Sequence, residues 1–278
     1  MPPSKPLPQP QLTHFLCIPL ATPAGRPQLA HSLATFHADM STMTVCMTSG
    51  GGGGPGSASN SKSTMRRGPL PPAALRPVGT LHLTLGMLSL GDGDRLEQAL
   101  QRLQSLTKEG NLVEKPTSMA LRGLHAMQPP ARATVLYASP VDESTGQLAV
   151  AGGPLLSLCE RVRAAFADLL VPDERPLLLH ATIVNTVYAK ERQGGGGGRE
   201  NRSGQQKSYR GGRAAQGGRT KLKFDAREII ERYDDFVWMD RMQVQTIALC
   251  RMGARTTEVK DAGDIVDAAY YVEAEIEL

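Results

Sequence analysis

The chain has 278 residues, 40% hydrophobic and only 4% aromatic, which is enough for one large domain or two small lobes with a core of Leu, Val, Ile, Ala and Met. No apolar run reaches the roughly 18 residues of a membrane span, and the proline-rich opening MPPSKPLPQPQ lacks the apolar block of a signal peptide, so a nuclear or cytoplasmic protein with no membrane partner is expected. The net charge of +4 is uneven: residues 192–223 hold nine Lys or Arg against one acid, Glu200, so that segment carries +8 and the rest of the chain −4.

Residues 1–11 read as a disordered tail, and 12–278 as one domain. HFLCIPL (14–20) opens it as a short strand, and 26–45 reads as the first helix. In GTLHLTLGMLSL (79–90) Leu81, Leu83 and Leu85 alternate with Thr80, His82 and Thr84, the pattern of a half-buried strand. A helix follows at 94–106, with Leu96, Leu100 and Leu103 on one face and Asp94 placed to cap it. SMALRGLHAM (118–127) and ARATVLYAS (131–139) read as paired strands joined at Pro129-Pro130. Pro154 sits in the first turn of a helix over 154–170. LLLHATIVNTVYA (177–189) is a strand, 225–233 a short helix, and 244–252 with 269–278 a closing antiparallel pair.

Two stretches look unable to bury enough apolar surface to offset their ordering entropy. The first, 48–77, contains GGGGG, SASNSKS and PLPPAALRP; the second, 193–218, contains GGGGGRENRSGQQ and YRGGRAAQGGR. Both read as flexible surface insertions. The four cysteines are scattered with no C-x-x-C pair, and Cys17 and Cys250 lie in apolar runs, so all four read as core thiols. With no cluster of Asp, Glu and Cys of metal-site type, neither a metal nor another cofactor is expected.

Two segments share one form: Leu81-His82-Leu83-Thr84-Leu85 and Leu179-His180-Ala181-Thr182-Ile183. Strand spacing places each His beside its Thr on one face, with apolar neighbours on the other. Opening a phosphodiester requires a proton taken from the nucleophile and a proton given to the leaving oxygen. Two imidazoles can divide these tasks, and the Thr hydroxyls can donate to the non-bridging oxygens. His82, Thr84, His180 and Thr182 are therefore the candidate catalytic residues, and a bell-shaped pH profile near neutrality follows from one neutral and one protonated histidine. A single H-x-T is a weak signal; two in matching strand contexts are much stronger. The competing reading is a pair of histidines that only satisfy structural hydrogen bonds.

THFLCIPL (13–20), HLTLGML (82–88), VLYASPV (135–141), HATIVNT (180–186), FDAREIIERYDDF (224–236) and IALCRMG (247–253) together resemble the two-histidine (2H) phosphoesterase domain of A-kinase anchor proteins. Within that family they look most like the branch found in the activating signal cointegrator complex. The resemblance implies a two-lobed, pseudo-symmetric α+β fold, mostly antiparallel sheets with outer helices around a central cleft. It assigns the catalytic roles to the same His and Thr pairs. That branch often carries a KH-type RNA-binding domain; no GXXG loop in such a context is found here, and Gly50–Gly54 is a plain glycine tract.

The sequence thus points to a metal-independent phosphoesterase acting on RNA ends, 2′,3′-cyclic phosphates or small nucleotides. The alternative is a non-catalytic nucleotide- or RNA-binding subunit of a nuclear transcription-coactivator or DNA-repair complex. Arg210, Arg213 and Arg219 in the basic insertion are candidate nucleic-acid contacts, through phosphate attraction and guanidinium stacking. Thr186 shares the parity of His180 and is expected to extend the polar cleft wall; Asn185 has opposite parity unless the strand bulges. His31 and His37 read as surface or boundary residues, His125 as structural, and His14 as core with a lesser case for the cleft. Trp238 reads as core, with base stacking as the alternative.

Overall fold

The computed structural model describes residues 10–49, 64–91, 93–108, 117–142, 146–148, 153–189, 222–257 and 267–278. The readings for residues 1–9, 50–63 and 193–218, including Arg210, Arg213 and Arg219, lie outside these residues.

The chain runs β1 (His14–Pro19), α1 (Arg26–Thr42), β2 (Val45–Ser49), β3 (Thr64–Gly68) and β4 (His82–Leu88). It continues through α2 (Gly93–Lys108), β5 (Ser118–Ala126), β6 (Val135–Asp142), β7 (Gln147–Leu148) and α3 (Pro154–Ala165). Next come β8 (Ala181–Asn185), β9 (Leu222–Phe224), α4 (Arg227–Arg232), β10 (Val237–Gln243) and β11 (Thr246–Arg251). The chain closes with β12 (Arg255–Thr257), β13 (Asp267–Ala269) and β14 (Val272–Glu277).

Among the described residues nine strands form one antiparallel sheet, in the order β10-β5-β6-β8-β4-β1-β11-β14 with β7 alongside β6. The two H-x-T strands are its middle pair, and β8 meets β4 at a single recorded Cα pair, Leu83 with Ala181. The expected lobes are therefore two halves of one sheet, each of four strands on the main path, hinged at the motif strands. The helices divide in the same way: α1 packs on β10 and α4 on β5, while α2 packs on β14 and α3 on β4. Leu83, Leu85, Ala181 and Ile183 from the motif strands point into the main core and are fully buried there. The opposite face stays open except for a small cluster of Phe15, Cys17, Ala248 and Cys250, with Met87 and Tyr270 packed against it.

Three sequence expectations need correction. Residues 64–77 are structured: β3 pairs with β2, and Leu70, Ala74, Leu75 and Arg76 are buried. Leu75 bridges to Val184. The prolines there set turns that dock on β8, although their composition resembles that of a linker. The first helix stops at Thr42, and Val45 starts β2 in a three-stranded sheet, β3-β2-β9. The helix at 154 ends at Ala165, and turns follow it.

Gly123 shows where backbone freedom is required. It has φ +63°, and a Cβ there would lie 2.7 Å from the Asp234 carbonyl oxygen. The register of β5 against β6 shifts between Arg122 and His125, bringing His125 opposite Tyr137. A Gly123→Ala change meets both the left-handed conformation and a backbone clash, so it is expected to destabilise the fold by about 2 kcal/mol or more. Urea unfolding of the two proteins reads this; an unchanged midpoint would show that the bulge can relax.

Candidate active site

A turn at Val78–Thr80 delivers the chain into β4. Asp267 pins this turn, accepting from the Gly79 amide at 3.0 Å while paired with Arg26 at 2.7 Å. β4 then alternates as its sequence suggests, with Leu83 and Leu85 buried and His82 and Thr84 half-buried on the open face. The second motif differs. Residues 176–180 lie outside the ladder, and β8 begins at Ala181, immediately after His180.

The Leu83–Ala181 pair sets the two motifs side by side. Extending that antiparallel register by one residue each way sets His82 opposite Thr182 and Thr84 opposite His180. Residues so paired have Cβ atoms roughly 5 Å apart and share a face. Such a register would place the histidines on one diagonal of a square and the threonines on the other, and the charge of His180 does act on His82.

Each histidine is held in the same way. His82 Nδ1 lies 2.8 Å from the Thr80 carbonyl oxygen, and His180 Nδ1 lies 2.8 Å from that of Leu178. A carbonyl only accepts, so each Nδ1 carries hydrogen and each neutral ring keeps its lone pair on Nε2. An aromatic ring meets each imidazole edge-on, Tyr270 at 5.3 Å for His82 and Tyr137 at 5.4 Å for His180. Phe15 adds a tilted contact with His82 at 4.8 Å. Among the described residues neither Thr84 nor Thr182 has a hydrogen bond from its hydroxyl to another protein group, so both can serve a ligand.

The surroundings of His82 act on its titration. Burial pushes the pKa of His82 down to about 4; its bond to the Thr80 carbonyl opposes this, and the charges of Arg76 and His180 add to it. His82 is thus neutral at physiological pH, and the charge of His180 acting on it places the two rings in one electrostatic neighbourhood. Tyr270 is held up at about 12, first by burial.

Other candidates fall elsewhere. Thr186 is buried and donates to the Leu222 carbonyl at 2.6 Å, so it does not extend the cleft wall. The cause is an extra residue on β8: Leu136 pairs with Val184 but Tyr137 pairs with Thr182. That bulge reverses the parity, and Asn185 Oδ1 caps the next turn by accepting from the Val187 amide at 3.0 Å. His14 is buried, 3.3 Å from Glu273. His31 is exposed and His37 half-buried. His125 stands behind Tyr137, 5.6 Å from its ring, in the layer that supports His180. Trp238 is fully buried, which removes the base-stacking reading. Cys17, Cys159 and Cys250 are buried free thiols, and Cys46 is half-buried. Among the described residues no group of three or more His, Cys, Asp or Glu converges as a metal site. A depression of about 440 Å³ on the small sheet is lined by Cys46, Thr48, Met65 and Arg132 among others, and no histidine reaches it.

Sequence reasoning missed Tyr137, Tyr188, Tyr270 and Arg76. The signal for Tyr137 was its strand parity beside the motif. Arg76 was hidden inside the stretch read as flexible.

A central pair of H-x-T strands with their side chains on the open face of a curled antiparallel sheet defines a 2H phosphoesterase-type domain. The chain belongs to the AKAP7 2'5' RNA ligase-like domain family, which residues 12–262 match. An uncharacterized protein of Schizosaccharomyces pombe is 24% identical over 178 residues, covering 62% of this chain and 68% of that protein. Solved structures similar to this chain include a phosphoesterase at 16% identity and TM-score 0.45, covering 97% of this chain and 99% of its own. LigT of E. coli complexed with 3'-AMP aligns at 13% identity and TM-score 0.45, with the same coverage of 97% and 99%. Usb1 of Kluyveromyces marxianus with uridine monophosphate aligns at 10% identity and TM-score 0.35, covering 93% of this chain and 97% of its own.

Proposed function

We propose that the protein is a phosphodiesterase that opens 2′,3′-cyclic phosphates or related linkages at RNA ends and in small nucleotides, using His82 and His180 as its acid–base pair. The observation that carries this is the matched clamp on the two rings: both Nδ1 atoms are committed to carbonyls at 2.8 Å, which leaves both Nε2 atoms for the substrate. His82, half-buried and neutral, is the proton acceptor. It takes a proton from the attacking water as oxygen bonds to phosphorus. His180, at the strand's edge, gives its proton to the departing ribose oxygen as that P–O bond breaks. The product is a phosphomonoester beside a free hydroxyl, and solvent returns each ring to its starting state. Thr84 and Thr182 donate to the non-bridging oxygens as charge builds there.

The pH profile tests the role of His82. The acid limb of kcat/KM reports the free enzyme, so activity should persist through pH 6 and fall only as pH approaches about 4, where His82 takes up a proton. This lowers the acid limb below the near-neutral profile that the sequence alone implies. A limb at pH 6.5 or above would assign the base role elsewhere. Activity should also survive EDTA, since the proposed proton transfers use only side chains; loss on chelation with recovery on adding a divalent cation would refute that.

The cointegrator resemblance extends the proposal to a nuclear or cytoplasmic protein held in a transcription or repair complex. The charge of +8 on residues 192–223 supports an RNA-capture role for that segment. Deleting 193–218 should spare dinucleotide hydrolysis and weaken binding of long RNA at low salt; equal binding would leave the segment a linker.

A further inference from the structure

We propose that Arg76 is the residue that binds the anionic charge of the phosphoryl group lying between the two histidines, with Tyr188 and Tyr270 holding its guanidinium in place. This rests on the phosphodiesterase reading for which phosphate is meant, and on the local geometry for the anion site itself.

Arg76 is only 7% exposed. Its recorded partners are neutral: one guanidinium nitrogen donates to the Tyr270 hydroxyl at 3.3 Å, and its plane lies over the Tyr188 ring at 4.2 Å. Among the described residues no carboxylate pairs with it. A buried cation with no counter-charge is costly, because desolvation is not repaid by hydroxyl and ring contacts alone. An anion in the cleft would repay it. Most arginines that form ion pairs here lie on the exposed surface, such as Arg175 with Asp173 and Arg227 with Asp225. Arg76 differs in both burial and partners.

Its position is fixed by the backbone. The Arg76 amide donates to the Ile183 carbonyl at 2.9 Å. Ile183 is the extra residue of the β8 bulge, one residue beyond Thr182. Tyr270 links Arg76 to the site, since its hydroxyl takes the guanidinium bond while its ring meets His82 at 5.3 Å. Tyr270 therefore touches both Arg76 and His82, and the charge of Arg76 acts on that ring. The groups around His82 are Arg76 from the preceding segment, Tyr270 ahead of β14, His180 across the seam, and Cys17, which pairs with Thr84 from β1. Arg76 is the permanent cation among them. It offers a planar fork suited to two phosphate oxygens. Its charge also disfavours protonation of His82. The same residue thus adds to the burial that keeps the base neutral before substrate arrives, and balances the substrate's charge afterwards.

The test uses a 2′,3′-cyclic mononucleotide, which has a single phosphate, and inorganic phosphate as a non-reacting probe. Arg76→Gln should lower kcat/KM for the cyclic mononucleotide on the order of 10- to 100-fold and weaken phosphate binding on a similar scale. Arg76→Lys should recover part of both, because it keeps the charge and loses the fork. In Arg76→Gln, but not in Arg76→Lys, the NMR titration of His82 should move upward from its position near pH 4, a difference that tracks the charge at position 76. Should Arg76→Gln not fold, phosphate titrated into the wild type should still shift the Arg76 guanidinium resonance. Unchanged phosphate affinity in the variant, or an unshifted Arg76 resonance in the wild type, overturns the proposal. So does a defect confined to longer oligonucleotides, since Arg76 would then read a flanking phosphate. If the wild type hydrolyses nothing while phosphate binding still depends on Arg76, the anion site stands and the phosphodiesterase reading falls.

Discussion

Replacing His82 or His180 with Ala is expected to lower kcat on a 2′,3′-cyclic mononucleotide by about 10²- to 10⁴-fold, the range general acid–base catalysis contributes. Both side chains lie on the open face, and the residues between and beside them form the core contacts, so each variant should fold normally. KM should change much less than kcat, because the threonines and the proposed arginine still hold the phosphate. The double variant should be little worse than the worse single one, since the two rings act in one concerted transfer. Steady-state kinetics on the four proteins reads this. A single variant retaining more than a tenth of wild-type kcat would remove that ring from the chemistry.

The largest stability effect is expected at Trp238. It is fully buried in an aromatic cluster, with Phe236 at 4.8 Å, Phe36 at 5.3 Å and Tyr233 stacked at 5.8 Å. Its Nε1 donates to the Gly123 carbonyl at 2.8 Å, so it also holds the β5 bulge that sets His125 behind Tyr137. Trp238→Ala removes the ring, leaves a cavity and strips that carbonyl of its partner, at a cost of about 3–5 kcal/mol. Trp238→Phe keeps much of the packing and should cost clearly less. Denaturant unfolding followed by circular dichroism compares the three. A loss under 1 kcal/mol for the Ala variant would mean that α1 and α4 do not depend on this cluster.

Much of the architecture can be read along the sequence where alternation is strong. β4 shows it: three leucines at alternate positions fixed both its existence and the face that carries His82 and Thr84. β8 is less legible, because its bulge after Thr182 reverses parity within five residues and sends Thr186 into the core. The small sheet of β3, β2 and β9 escaped notice because its strands have only three to five residues each, too few for a period to emerge. Arg76 and Tyr270 were invisible for a different reason. They are 194 positions apart in the chain, and only folding brings them together beside His82. Composition misled at 64–77, where prolines that look like linker residues set the turns that dock Leu75 and Arg76 on β8. Local pattern therefore revealed the candidate His and Thr pairs, while tertiary packing supplied the burial and charge around His82.

The most direct test of the account is product analysis with defined substrates. Purified protein is incubated, with EDTA present, with oligonucleotides ending in a 2′,3′-cyclic phosphate and with 2′–5′ and 3′–5′ linked dinucleotides, and the products are separated. The account predicts conversion of at least one substrate to a phosphomonoester with a free ribose hydroxyl, and no conversion by His82→Ala. No product from any substrate with the wild type, or the same product at the same rate from His82→Ala, would contradict it.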